Sequence, residues 1–366
     1  MDPAVINMTK VFVLGVVSFL TTMIATPALT HFMYKHKLWK NKVREKGIDG
    51  KELKVFKEHH SDKETSVPRL GGLLVWVPPL VLIFIFYGLT FLFDNFWVEK
   101  LNFLSRSQTW LPLFTLVAAS LVGLVDDVLQ IIEKPKNKII RLLFAKMKRY
   151  IGGGLSLKYR ISLVAIIGTV GSWWFYFRLG RDSIFIPGVG QFYLGILFIP
   201  FFILVMLATY SGSVIDGLDG LSGGAFAAIF TAFTIIAIES GMINLAAFCL
   251  VLVGSILAFL WSNIPPAKFY MGETGMLGLT TTLTVISFLT DSVIVLPIIA
   301  ILLVMESGSV ILQLLSKKFR KKKLFIAAPI HHHFEGKGWP SYKVTMRFWI
   351  IGVFAAIIGV VIRLMG

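Results

Sequence analysis

The amino-acid sequence predicts an all-α integral membrane protein of about ten transmembrane helices, and three observations carry that expectation. The 366 residues are 56% hydrophobic and only 15% charged, with a mean hydropathy of +0.77; soluble domains carry about a quarter of their residues as Asp, Glu, Lys and Arg. The apolar residues gather in ten stretches close to the ~20 residues a helix needs to cross a bilayer. Basic residues then crowd alternate connections between the stretches, the pattern that orients membrane proteins. Disordered, collagen-like and disulfide-rich classes are excluded, because Gly and Pro contents are ordinary and Cys249 is the only cysteine. Cys249 sits in an apolar run and reads as a small buried hydrophobe. The whole of 1–366 reads as one polytopic domain.

In chain order the stretches are 11–33, 71–93, 109–125, 161–177, 192–207, 221–238, 242–261, 276–290, 293–315 and 344–364. The eighth is short for a crossing and needs flanking residues to complete it. Pro27, Pro78, Pro79 and Pro200 fall inside spans, where neighbouring helices can satisfy the freed backbone groups. The first stretch is not expected to be a signal peptide: only Lys10 precedes it, and a dense basic block follows it, which is the reverse polarity. Eleven Lys and Arg lie between Lys35 and Arg69, nine between Lys134 and Arg160, and eight between Lys317 and Lys343, whereas the opposite loops hold Lys100, Arg106, Arg178 and Arg181. The heavy loops are therefore expected in the cytoplasm, with both termini outside.

This asymmetry accounts for nearly all of the net charge of +16. No motif that reads RNA or DNA accompanies it, so nucleic acid is not an expected partner. The run Lys317, Lys318, Arg320, Lys321, Lys322, Lys323 follows a helix end, where it reads equally as a contact with anionic lipid or as a topology signal alone. Residues 183–193, around Pro187-Gly188, predict a small outer hairpin. No internal repeat stands out.

Charges near hydrocarbon are costly and mark function, and four polar clusters all map to the cytoplasmic side. Asp126-Asp127 ends the third span; adjacent carboxylates repel and are held by a cation or a shared proton. Asp216-Gly-Leu-Asp219-Gly-Leu-Ser222 follows the fifth span, with two acids on one face of a turn and glycines that let a ligand approach the backbone. Between the seventh and eighth spans lie Asn263, Lys268, Tyr270 and Gly272-Glu273-Thr274-Gly275. There an acid and a hydroxyl open a helix that would also favour a phosphate, while Tyr270 and Asn263 offer stacking and amide bonds to a planar base. His331-His332-His333 and Glu335 precede the last span; structural zinc wants four ligands, so phosphate chemistry suits these histidines better. Acids, a basic rim and histidines at a membrane surface point to Mg2+, phosphate groups and a lipid substrate. A transporter would instead need mid-span acids and repeat symmetry; Glu306 is the main mid-span acid and the halves look dissimilar.

With these motifs the chain resembles the phospho-N-acetylmuramoyl-pentapeptide transferases of the polyprenyl-phosphate N-acetylhexosamine-1-phosphate transferase superfamily. The resemblance runs nearly end to end: Pro68-Arg-Leu-Gly-Gly72, Asp126-Asp127, the doubled Asp-Gly-Leu, Met271-Gly-Glu-Thr-Gly275, Glu306-Ser-Gly-Ser, and Ala328-Pro-Ile-His-His-His-Phe-Glu335 with Lys337-Gly-Trp-Pro340. It implies a Mg2+-dependent reaction of UDP-MurNAc-pentapeptide with undecaprenyl phosphate, giving lipid I and UMP, at the bacterial inner membrane and in a homodimer. A related transferase using UDP-GlcNAc is the alternative. By resemblance, Asp126 is the candidate base toward the lipid phosphate, with Asp127 beside it. Asp216 and Glu273 surround the metal and pyrophosphate, and a ligand role fits Glu273 best. Gly217, Leu218, Asp219, Asn263 and Tyr270 match the uridine pocket. His331, His332 and His333 match the phosphate- and sugar-side loop, and Glu306 reads as a packing or groove residue. Four positions depart from the family's usual residues: Gln130 replaces a lysine, Ser213 and Tyr210 replace asparagines, and Glu273 replaces an aspartate. Lys134 or Lys136 is then the candidate substitute cation for phosphate.

Overall fold

The computed structural model describes residues 2–40, 65–131 and 154–366, so Lys134 and Lys136 lie outside the described residues. The first four expected apolar stretches become the helices α1 (Pro3–Lys35), α2 (Leu73–Leu92), α4 (Trp110–Ile131) and α5 (Leu157–Trp173), and a short helix that the stretches did not include, α3 (Phe96–Leu101), lies between α2 and α4. The hairpin β1 (Ser183–Ile186) and β2 (Gly190–Tyr193) follows, and then α6 (Phe198–Ser211), α7 (Leu221–Glu239), α8 (Ile243–Asn263) and α9 (Gly272–Leu289). The chain finishes with α10 (Leu296–Ile299), α11 (Ile301–Leu315), α12 (Ile330–Gly336) and α13 (Ser341–Met365). The hairpin is antiparallel with Ser183 opposite Tyr193 and Ile186 opposite Gly190, as the Pro-Gly turn predicts. It takes the first residues of the expected fifth span, whose helix starts only after a short 3-10 turn at Gly195–Leu197.

Among the described residues eight helices are long and apolar enough to cross a membrane: Pro3–Lys35, Leu73–Leu92, Trp110–Ile131, Leu157–Arg178, Gly195–Ile215, Leu221–Glu239, Ile243–Asn263 and Ser341–Met365. The protein is an all-α, multi-pass membrane protein. The two remaining expected spans differ for physical reasons. Span nine is broken at Ala300, which has the non-helical torsions φ −102°, ψ 34° and separates α10 from α11. Span eight is α9, whose residues are all buried except Glu273. Enclosed by protein, it has no need of a lipid-compatible surface and carries a hydroxyl-rich sequence. Thr280, Thr281 and Thr284 donate to the carbonyls of Met276 (2.7 Å), Leu277 (2.7 Å) and Thr280 (3.2 Å), so their hydroxyls are satisfied within the helix.

Among the eight crossing helices α7 and α8 are the most enclosed, with 72% of their apolar windows buried, against 28% for α13 and 33% for α1 at the rim. The rim helices expose large apolar side chains such as Phe12, Ile24, Phe354 and Ile357, the surface expected toward lipid tails. Close helix crossings rest on small residues, as is usual where no hydrophobic effect drives helices together. A β-carbon on Gly254 of α8 would lie 2.2 Å from the Gly15 carbonyl oxygen of α1. One on Gly278 of α9 would lie 2.1 Å from Ser120 Oγ of α4. The second contact fixes the depth of α9 beside α4, and with it the position of the residues that open α9.

Candidate active site

The first turn of α9 is where the clusters meet. The opening backbone N–H groups of a helix lack partners inside it, and here carboxylates from two other segments supply them. Asp127 Oδ1 accepts from Glu273 N (3.1 Å) and its Oδ2 from Thr274 N (2.8 Å). Asp216 Oδ2 accepts from Gly272 N (3.1 Å), while its Oδ1 accepts from Ser222 Oγ (2.8 Å). Gly272 adopts φ +70°, and a β-carbon there would lie 2.2 Å from the Arg69 carbonyl oxygen and 2.6 Å from Asp127 Oδ2, so only glycine fits. Asp126 and Asp127 lie inside α4 rather than at its end, both buried, because the helix runs on to Ile131.

Asp126 faces a different set of partners. Its Oδ2 accepts from Gln130 Nε2 (2.9 Å), and its Oδ1 from the Leu155 amide. Arg160 Nη1 of α5 stands 3.9 Å from Asp126 Oδ2 and is hydrogen-bonded to Glu273 Oε1. Tyr210 is buried at the end of α6. Among the described residues Glu273 Oε2 is buried with no hydrogen-bond partner. Asp216 lies between membrane helices, and burial pushes its carboxyl above the ordinary carboxylate range, opposed by its bond from Ser222, the positive charge of Arg69 and its bond from Gly272.

The histidines diverge, as three consecutive side chains on a helix must. His331 Nδ1 pairs with Glu306 Oε2 at 2.8 Å, both side chains fully buried. Its Nε2 has no hydrogen-bond partner among the described residues and lies against Gly217, where a β-carbon would come within 2.3 Å. This contact joins the fourth cluster to the second. His332 Nδ1 pairs with Glu335 Oε2 at 2.6 Å, and Glu335 Oε1 accepts from Ser341 Oγ at 2.6 Å, which anchors α12 to α13. His333 Nδ1 accepts from Ile326 N (3.2 Å), away from the carboxylates. Burial and then the charge of Lys337 hold its pKa below the ordinary histidine value.

The segments expected to read a planar base are more constrained than the sequence suggests. Asn263 uses both ends of its amide on backbone: Nδ2 donates to Phe269 O (2.8 Å) and Oδ1 accepts from Gly220 N (3.1 Å). It thereby ties the Asp216–Gly220 segment to the Tyr270 segment. Asp219 Oδ2 accepts from Ala267 N (3.2 Å). Gly217 and Leu218 lie in the same turn, with Leu218 buried. Tyr270 is half-buried, its backbone N–H donating to Pro68 O (2.8 Å) and its carbonyl accepting from Gly71 N (2.9 Å). Thr345 Oγ1 and Trp349 Nε1 of α13 donate to the carbonyls of Asp219 (3.2 Å) and Gly220 (3.1 Å), which holds the turn from outside.

Glu306 does more than pack, since it fixes the His331 ring. Arg160 and Arg69 join the site without having been singled out for it, and Gln130, noted only as a departure from the family's usual residue, bonds Asp126. Arg160 and Arg69 were counted only in the topological excess of basic residues, although Arg69 lies in the Pro-Arg-Leu-Gly-Gly run. Among the described residues no three His, Cys, Asp or Glu side chains are gathered as a ready-made metal cage. Mg2+ does not need one: it takes one or two carboxylates, substrate phosphates and water. The unpartnered Glu273 Oε2, with Asp216 nearby across Gly272, fits that donor set.

Comparison with known proteins identifies the family. Residues 109–291 match the family model described as glycosyl transferase family 4, a span that includes Asp126, Asp216 and Glu273. The chain is 34% identical to a phospho-N-acetylmuramoyl-pentapeptide-transferase of Lactiplantibacillus plantarum, over 82% of this chain and 85% of the relative. It is 32% identical to the protein of that name from Clostridium perfringens, over 94% and 96%. The counterpart from Chloroflexus aggregans is 30% identical over 98% and 90%.

Proposed function

The chain belongs to the phospho-N-acetylmuramoyl-pentapeptide transferases of glycosyl transferase family 4, and we propose that it moves phospho-MurNAc-pentapeptide from UDP-MurNAc-pentapeptide to undecaprenyl phosphate. The products are lipid I and UMP, the reaction lies on the cytoplasmic face of the bacterial inner membrane, and both termini lie outside. The observation that carries this reading is the meeting of Asp127, Asp216 and Glu273 at the start of α9, with Arg160 and His331 beside them. A UDP-GlcNAc transferase is the weaker reading, because the relatives reported above carry the muramoyl-pentapeptide name.

The roles divide by what each side chain touches, since a carboxylate oxygen that accepts one hydrogen bond keeps a second lone pair for a ligand. Asp127 accepts from two α9 amides and holds Glu273 in place. Asp126, buried and beside Arg160, faces the position where an incoming lipid phosphate would be oriented and relieved of its proton. Arg160 and Arg69 supply positive charge for the phosphates, a positioning role in which guanidinium groups excel. Glu273 and Asp216 would hold Mg2+, which when bound neutralises charge on the diphosphate. His331 offers Nε2 from a fixed ring, suited to donating to or accepting from a phosphate oxygen. Asp219, Gly217, Leu218 and Tyr270 line the nucleotide side, Asn263 shapes it, and His332 and His333 support α12. The substrates and Mg2+ dependence are tested together. Purified protein receives undecaprenyl phosphate with either UDP-MurNAc-pentapeptide or UDP-GlcNAc, with and without Mg2+, and UMP is measured. Release from the muramoyl substrate alone, and only with Mg2+, is the expected result; release from UDP-GlcNAc alone would overturn the assignment.

A further inference from the structure

Between Glu306 and Glu335 the sequence has no acidic residue, yet it carries six cations within 317–323: Lys317, Lys318, Arg320, Lys321, Lys322 and Lys323. The structure makes this run a fixed strap at the end of α11. Gln313 Oε1 accepts from the amides of Leu324 (2.9 Å) and Phe325 (2.9 Å), and its Nε2 donates to Phe325 O (3.0 Å). Ser316 Oγ donates to Lys322 O (2.9 Å), and Lys321 reverses the chain at φ 54°. The strap then reaches the histidine helix through the Ile326–His333 bond. The cations are thus presented on a folded turn, on the side of the molecule that holds the candidate site.

The surface next to them is apolar. Ile311, Leu312 and Leu315 on α11 are exposed, and four residues beyond Leu315 the Phe319 ring is 72% exposed with Lys318 Nζ 5.4 Å from its centre. An exposed ring continuing a lipid-facing stripe, surrounded by long cationic side chains, matches the boundary between acyl chains and headgroups. A soluble polyanion would find no use for the stripe. We propose that this strap is a docking surface for anionic phospholipid headgroups, with Phe319 seated among the upper acyl chains and the cations around the phosphates. Its basic residues then do more than set topology, since a topology signal requires neither a folded turn nor an exposed ring.

The test uses the full chain in non-ionic detergent, titrated with dioleoylphosphatidylglycerol or dioleoylphosphatidylcholine, with bound lipid counted by native mass spectrometry. The wild type is expected to bind the anionic lipid at least about tenfold more tightly than the zwitterionic one, and high salt to reduce the difference. The combined Lys318→Gln, Arg320→Gln, Lys321→Gln, Lys322→Gln variant is expected to lose that preference with an unchanged unfolding midpoint. A Lys318→Arg, Lys321→Arg, Lys322→Arg variant keeps it, which separates charge from folding. Free glycerol phosphate is expected not to compete. Equal binding of both lipids, an undiminished preference in the glutamine variant, or displacement of the lipid by glycerol phosphate would each overturn the proposal.

Discussion

Replacing Glu306 tests the reasoning most directly, because that residue touches no expected substrate atom and acts only through His331. The two side chains are fully buried and meet at 2.8 Å. Glu306 Oε1 and His331 Nε2 have no other hydrogen-bond partner among the described residues. Glu306→Gln preserves shape and leaves an acceptor for the His331 Nδ1 proton, so it removes charge and retains the bond. A hydrogen bond to a charged group contributes ~1.5–3 kcal/mol and a neutral one ~0.5–1.5. The difference, about 1–1.5 kcal/mol, corresponds to roughly a tenfold change in a rate that depends on the ring's orientation. Glu306→Ala goes further and strands His331 with two unpaired nitrogens inside the protein, at a cost of ~3–5 kcal/mol for breaking a buried pair. The expected outcome is therefore graded: the glutamine variant folds with a near-normal melting midpoint and about a tenfold lower kcat for UMP release, while the alanine variant melts earlier. A double-mutant cycle with His331→Gln supplies the decisive readout, since residues in direct contact couple by ~0.5–3 kcal/mol. Strictly additive losses in kcat would show that Glu306 does not position His331, and that the imidazole and carboxylate act separately.

Other outcomes follow from the same geometry. Asp126→Asn and Glu273→Gln are each expected to lower turnover at least about tenfold with circular dichroism unchanged; Glu273→Asp, shorter by ~1.5 Å, withdraws from Arg160 and falls between wild type and Glu273→Gln in the same UMP assay. Asp216 must be ionised to hold a cation, and burial has raised its pKa, so activity is lost on acidification at a pH above the usual ~3.9 of aspartate. Because Ser222 opposes that rise, Ser222→Ala is expected to move the acid limb of kcat/KM upward by about 0.5–1 pH unit, one hydrogen bond's worth; an unmoved limb would assign it to another group. Gly254→Ala places a β-carbon 2.2 Å from the Gly15 carbonyl, an overpacking that costs ~1–3 kcal/mol and is read as an earlier thermal unfolding midpoint in detergent.

Much of this was legible in the sequence because lipid imposes simple rules. Eight of the ten apolar stretches become helices able to cross a bilayer, and the Pro187-Gly188 turn becomes the hairpin. Two stretches escaped the rule because hydropathy reports contact with lipid. Helix α9 is surrounded by protein, and α10–α11 breaks at Ala300 without proline or glycine at that position. At the site, the four polar clusters were visible since charges near hydrocarbon are costly, and all four meet. What stayed hidden was the use of each side chain. Nothing in the spacing of Glu306 and His331 predicts their contact across 25 residues. Asn263 has the chemistry to read a base but spends its amide on Gly220 and Phe269. Arg160 was lost among the many cations that set topology.

The placement of Asp127 gives a reason for two adjacent carboxylates where one would serve as base. A helix opening within protein leaves amide groups that water cannot reach, and unpaired buried donors cost ~1–3 kcal/mol each. Asp127 and Asp216 satisfy three of them, at Gly272, Glu273 and Thr274. Negative charge at that end is also favoured by the helix dipole, so a cluster of acids that would repel in isolation is tolerated. Asp127→Asn separates the two roles. Asparagine offers one acceptor oxygen, so one α9 amide loses its partner, and the charge facing the dipole is gone. Destabilisation of about 1–3 kcal/mol is expected, seen as a lower unfolding midpoint even without substrates. Turnover should fall in step with displacement of Glu273. An Asp127→Asn protein that melts normally yet has no activity would instead make Asp127 a direct participant in the chemistry, and the division of labour between the paired aspartates would fail.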